Sequence, residues 1–209
     1  MSAKHDIIRI AILGPPGNGK TALVVKTVSG RFIWNYDPTL EFIYKHAMVD
    51  SESGGESKTH EMEILDTAGY TSSVDMDSVQ REGYIKWADA FVLLYSITNL
   101  NSFEEIQSLR AVIVESKKLG ASIAIVGNKA DLTHLRQVKY EAGKEYADEH
   151  GCLSYEISSR TDCQGSVAQP FIDLCREVKA KRLREGVRLR RRSSASRLLR
   201  KLIQKKLTM

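Results

Sequence analysis

Cysteine is scarce in this chain: three in 209 residues, Cys152, Cys163 and Cys175, with no C-x-x-C pair among them. They make no paired framework, which points to thiols kept reduced in a cytosol-like compartment. Long apolar runs are lacking as well, so no segment approaches the length of a membrane span. Met1–His5 leads straight into a strand-like run, and no secretory leader is expected. The five histidines are scattered and nowhere share metal-ligand spacing. No internal repeat is found. What remains is ordinary for a soluble globular protein: 42% apolar and 27% charged residues, and a length that suits one domain with some chain left over.

The charge is unevenly placed. Residues 179–209 hold thirteen Lys or Arg against one acid, Glu185, a net +12. The whole chain carries +5, so residues 1–178 carry −7. This split predicts a mildly acidic globular body over residues 1–180 and a basic tail over 181–209.

Six strands are expected: Ile7–Leu13, Glu41–Asp50, His60–Asp66, Ala90–Ser96, Ser122–Gly127 and Leu153–Ile157. The second and third flank a polar, glycine-bearing loop, Ser51–Ser57, and read as a hairpin. Helices are expected over Gly19–Ser29, Ser102–Lys118, Lys139–His150 and Val167 to about Leu183, with Ser102 capping the second and Glu105 in capping-box position. The alternation predicts an α/β fold: a six-stranded, mostly parallel sheet with one antiparallel strand and helices on both faces.

One motif stands out. Gly14-Pro-Pro-Gly-Asn-Gly-Lys-Thr21 fits G-x-x-x-x-G-K-[ST] directly after a strand and before a helix. Glycines let the backbone wrap a phosphate without Cβ clashes. The N–H groups from about Gly17 to Thr21 then point inward, with the helix dipole behind them. Lys20 can reach terminal phosphates, and the Thr21 hydroxyl can ligate Mg²⁺.

Three further patches follow in order: Tyr36-Asp-Pro-Thr-Leu-Glu41, Asp66-Thr-Ala-Gly69 and Asn128-Lys-Ala-Asp131. Each is a weak signal singly. Together with the phosphate loop, over residues 7–180, the chain resembles a small GTPase of the Ras superfamily, with a P-loop NTPase fold. The resemblance implies that Thr39 closes on Mg²⁺ and the terminal phosphate when GTP is bound. It implies that Asp66 holds Mg²⁺ through water and that the Gly69 N–H senses the terminal phosphate. Asp131 would accept from the N1 and N2 donors of guanine, a pair adenine lacks. Ser158-Ser-Arg160 resembles the family's S-A-K loop beside the base, and Phe32 matches an aromatic packed edge-on against it. The implied nucleotide set is Gly14, Gly17, Asn18, Gly19, Lys20, Thr21, Ala22, Phe32, Thr39, Asp66, Gly69, Asn128, Lys129, Asp131, Ser158, Ser159 and Arg160. Thr21, Thr39 and Asp66 form the metal set. Lys20, Thr39, Gly69 and the position of Tyr70 carry the catalysis. Arg31–Glu41, Glu61–Asp66, Gln80–Gly83 and Arg190–Ser194 narrow the resemblance to one branch of the superfamily.

The chain also departs from the family. Tyr70 stands where catalytic members carry a glutamine that orients the attacking water. A tyrosine hydroxyl on a rigid ring does not span the same two groups. Losing such a group costs roughly 3–4 kcal/mol, or about 10²–10³ in rate, so slow hydrolysis is expected. Pro15 and Pro16 remove two backbone donors and fix two φ angles. Pro16 takes the place of a glycine that must stay small beside a partner's arginine. The second switch, Thr71–Asp77 within it, is longer than in Ras. Effectors and regulators would meet Tyr36–Glu41 and Tyr70–Trp87, and a monomer is expected. Trp87 is expected to pack in the core.

In the tail, Ala195, Leu198, Leu199, Leu202, Ile203 and Leu207 share one face if the segment is helical, while Arg197, Arg200, Lys201 and Lys205 take the other. Such a segment reads as an anionic membrane-surface element, a calmodulin-type target, a nuclear-import patch, or a solubilising tail. Nothing in it would read bases, so no sequence-specific nucleic-acid partner is expected. With no cysteine after Cys175 the chain is not expected to be prenylated, and a cytoplasmic protein with a peripheral-membrane or nuclear pool is expected. Two rivals to the switch reading are a GTP-loaded scaffold that hardly turns over and a nucleotide kinase. Asn128–Asp131 and the lack of an arginine-rich lid before the tail argue against the kinase.

Overall fold

The structure, a computed structural model, describes residues 7–33, 41–50, 57–69, 78–117 and 120–207, with side chains except at 78–79 and 186–207. Thr39, Tyr70, the rest of Tyr36–Leu40, Thr71–Asp77 and most of the Ser51–Ser57 loop lie outside the described residues.

Six strands, β1 (Ile8–Leu13), β2 (Phe42–Asp50), β3 (Lys58–Asp66), β4 (Ala90–Ser96), β5 (Ser122–Asn128) and β6 (Leu153–Glu156), form one sheet in the order β2-β3-β1-β4-β5-β6. Only β2 runs antiparallel, with Phe42 opposite Asp66 and Asp50 opposite Lys58. The helices are α1 (Lys20–Ser29), α2 (Ser78–Trp87), α3 (Leu100–Ser116), α4 (Tyr140–Glu149) and α5 (Gln164–Leu207). The expected fold class is therefore the observed one.

β4 and β5 are buried at every position, as the central strands of a sheet covered on both faces must be. Alternation in β1 sends Ala11 and Leu13 into a core with Phe91, Leu93 and Tyr95 of β4, Ile85 of α2 and Phe103, Ile106 and Ile113 of α3. The alternate residues Ile8, Ile10 and Ile12 are buried on the opposite face. On the α1 side, Gln164 Nε2 donates to Thr27 O at 2.8 Å and Thr27 Oγ1 to Val167 O at 3.4 Å, tying α1 to the start of α5. Each fully buried aliphatic or aromatic side chain contributes roughly 1.5–3 kcal/mol.

β2 is an edge strand of the sheet among the described residues. Phe42, Ile43 and Val49 are 51%, 52% and 62% exposed on it, with Lys45 between them. Trp87 is partly buried against the core and carries the Arg9 guanidinium 5.8 Å from its ring centroid.

Helix α3 starts earlier than expected, because Asn99 and not Ser102 is its cap. The Asn99 side chain accepts from Ser102 N–H at 3.2 Å, while Ser102 Oγ is buried and accepts from Ser96 N–H at 3.0 Å. α5 begins at Gln164 and continues to Leu207, past the expected end near Leu183. By internal contacts the chain divides into two compact units, residues 1–175 and 176–209.

Candidate functional site

The loops that leave β1, β3, β5 and β6 all lie at the carboxyl edge of the sheet, where open α/β folds gather their ligands. One pocket there is lined by Gly17, Gly19, Ala22, Phe32, Ile33, Asn128, Lys129, Asp131, Leu132, Ser159 and Arg160. Residues far apart in the chain are thus brought together.

Gly14, Gly17 and Gly19 take positive φ of 150°, 74° and 91°. At Gly19 glycine is required twice over, since a Cβ would also fall 2.5 Å from Asn128 Nδ2. The helix α1 opens immediately after it, so the first-turn N–H groups have no intrahelical partner. That is an anion-binding geometry. Lys20 is buried, and its Nζ donates to the carbonyls of Gly14 at 2.8 Å and Pro15 at 3.1 Å. Burial pulls its pKa down to about 8, against an upward pull from the Asp66 carboxylate.

Asp66 ends β3 at 1% exposure, and among the described residues neither of its carboxylate oxygens has a hydrogen-bond partner. Burial raises its pKa; the nearby Thr21 hydroxyl and Lys20 ammonium oppose this, and Glu41 adds to it. The Thr21 hydroxyl is near enough to favour the charged form without completing a bond to it. A buried carboxylate with unused lone pairs beside a hydroxyl is the donor chemistry that suits a small hard cation. Among the described residues no group of three or more His, Cys, Asp or Glu gathers, here or elsewhere.

After Asp66, Thr67 Oγ1 donates to Ile12 O at 2.6 Å, and Ala68 N–H donates to Glu41 Oε1 at 3.1 Å. Tyr84 Oη of α2 donates to the same Glu41 oxygen. Sequence reasoning missed this junction, because it joins three segments whose spacing carries no pattern. Gly69 follows, and a Cβ there would fall 2.5 Å from Pro16 Cα and 2.7 Å from Pro16 Cβ. Residue 69 therefore has to be glycine as long as residue 16 stays where it is.

At the other end of the pocket, Asp131 holds one carboxylate oxygen on Ser158 Oγ at 2.7 Å. Ser158 N–H is fixed by Asp162 at 2.8 Å, and Ser158 Oγ accepts from Arg160 N–H at 3.3 Å. Lys129 adopts φ of 66°, among the described residues the one non-glycine with positive φ. Such a conformation costs roughly 1–2 kcal/mol and marks a backbone shaped by its surroundings. Burial lowers the Lys129 pKa, and the Asp131 carboxylate opposes the shift.

Comparison with known proteins gives a consistent result. The model of the Ras family matches residues 9–180. The "Ras-related and estrogen-regulated growth inhibitor" of Homo sapiens is 45% identical over 196 residues, covering 93% of this chain and 92% of that protein. Its counterpart from Bos taurus is 45% identical over the same coverage. The "Ras-like protein rasZ" of Dictyostelium discoideum is 33% identical over 177 residues, 84% of this chain and 77% of its own length.

Proposed function

The chain belongs to the Ras family, in the branch of the Ras-related and estrogen-regulated growth inhibitor, and from that premise we propose a guanine-nucleotide switch whose GTP state is long-lived. The observation that carries the binding half is the convergence of the phosphate loop, Asn128–Asp131 and Ser158–Arg160 on one pocket. Backbone N–H groups from Gly17 to Thr21 hold the phosphates, Lys20 neutralises them, and Asp131 selects guanine. Asp66 and Thr21 would hold Mg²⁺, and Thr39 would be the third residue of that set in the GTP state. When bound, the cation neutralises charge on the terminal phosphates.

The slow-hydrolysis half rests on Tyr70 and Pro16. Tyr70 leaves the attacking water without an amide to orient it. The Pro16 ring, packed beside Gly69, occupies space that a partner's arginine would need. Regulators and effectors meet Tyr36–Glu41 and Tyr70–Trp87, two segments joined through Glu41. The globular domain ends near residue 180, and the basic tail beyond it meets an anionic membrane surface. The charge is right for that surface, and the backbone is helical as far as Leu207, the condition on which its amphipathic spacing depends.

Single-turnover hydrolysis of loaded GTP by the wild type and by Tyr70→Gln tests the reading. The wild type is expected to be nearly inert and the variant faster by about 10²–10³. Comparable moderate rates in both would make the chain an ordinary switch. A wild type that stays inert together with its variant favours the GTP-loaded scaffold.

A further inference from the structure

Glu41 touches both ends of the second switch. It is exposed, just before β2, yet its Oε1 is committed inside the molecule. The Ala68 N–H donates to that oxygen at 3.1 Å, and the Tyr84 hydroxyl of α2 donates to it as well. The two donors stand on either side of residues 69–83, the stretch that is longer than in Ras. One carboxylate oxygen therefore staples the start of that stretch and its end to the first switch.

The turn that follows β3 is pinned residue by residue. Thr67 Oγ1 donates to the Ile12 carbonyl of β1 at 2.6 Å. Ala68 N–H is held by Glu41. Gly69 lies so close to the phosphate loop that a Cβ there would fall 2.5 Å from Pro16 Cα. Two of these three anchors belong to the rigid frame: a strand carbonyl, and a proline whose ring fixes its own φ. The third is a side chain of the first switch. Peptide groups are planar, so the bond at Ala68 N–H fixes one plane. Only the two dihedrals of Ala68 then separate it from the plane that carries the Gly69 N–H.

We propose that Glu41 is a positioning residue for sensing the terminal phosphate. It aims the Gly69 N–H by holding the peptide before it. Its second bond, from Tyr84, keeps the longer second switch from pulling that turn out of place. This rests on reading the chain as a guanine-nucleotide switch. Glu41 itself touches no reacting atom. GDP carries no third phosphate for the Gly69 N–H to meet, so the contribution belongs to the GTP state alone.

The test uses the full chain with Mg²⁺ and two fluorescent ligands, a GDP analogue and a non-hydrolysable GTP analogue, and reads the dissociation constant of each. Glu41→Ala is expected to weaken the GTP analogue about two- to tenfold, the worth of one net hydrogen bond, and to leave GDP unchanged. Glu41→Gln keeps a carbonyl oxygen in the same place without the charge, and is expected to restore the wild-type ratio of the two constants. Tyr84→Phe removes the second bond alone and is expected to shift the ratio in the same direction by less. An unchanged ratio in Glu41→Ala or in Tyr84→Phe overturns the inference. So does equal weakening of both ligands, which would signal general loosening. A Glu41→Gln variant that behaves like Glu41→Ala overturns it too, because charge and not aim would then be the cause. If Glu41→Ala does not fold, Tyr84→Phe decides alone. A wild type that binds neither ligand overturns the reading of the pocket instead, before any variant is compared.

Discussion

Lys20 shows how a single residue ties the fold to its ligand. In the fold its ammonium rests on two carbonyls, and burial holds its pKa near 8. A phosphate favours the charged form, so binding restores the proton. Below about pH 7 the lysine is already charged and binding takes up nothing. As pH rises through 8, GDP binding is expected to take up as much as one proton and affinity to fall. Calorimetry at pH 8.5 in two buffers of unlike ionisation enthalpy measures the uptake directly, and zero uptake would contradict the pKa. The sign for stability runs the other way. The unfolded chain binds more protons between 8 and the ordinary lysine range, so the nucleotide-free fold gains stability there as pH rises. At this scale much of the pocket was legible beforehand, since Gly19, Lys20, Asn128 and Asp131 announce themselves by type and spacing. Glu41, Leu94 and the Ser159 hydroxyl did not, because hydrogen bonds across 27, 76 or 31 residues leave no periodic trace.

At the scale of elements, the start of α3 separates two serine and asparagine roles that look alike in sequence. Asn99→Ala removes a cap and is expected to cost about 1 kcal/mol, or roughly 2–4 °C in melting temperature. Ser102→Ala is expected to cost more, because it leaves the Ser96 N–H without its buried acceptor. Thermal melts of the two variants check the order, and equal shifts would reverse the assignment. The strands were legible to within two residues, since apolar runs such as Ala90–Ser96 leave little choice. α2 was not. Its sequence, SVQREGYIKW, mixes polar residues with a central glycine and has no clear apolar stripe. Its packing is set by Tyr84 and Ile85 meeting a core built from other strands. Tertiary contact, rather than local pattern, decides that segment.

For the molecule as a whole, the telling quantity is the division of charge into −7 and +12. Full-length protein is expected to bind phosphatidylserine vesicles at low salt and to release them as salt rises. Replacing Ser193→Asp and Ser194→Asp together lowers the tail from +12 to +10 and is expected to weaken binding by roughly tenfold or more, at about 1 kcal/mol per charge. Vesicle flotation reads both effects. Binding indifferent to salt and to the double variant, or preference for calcium-loaded calmodulin, would reassign the tail. The β2 edge of the sheet has a more practical consequence. Among the described residues no strand pairs with the outer side of β2, where Phe42, Ile43 and Val49 are exposed and Lys45 stands between them, 3.6 Å from Glu63. An uncovered edge is a template for another chain's strand. Lys45→Ala is therefore expected to raise the aggregation of concentrated stocks, which light scattering checks.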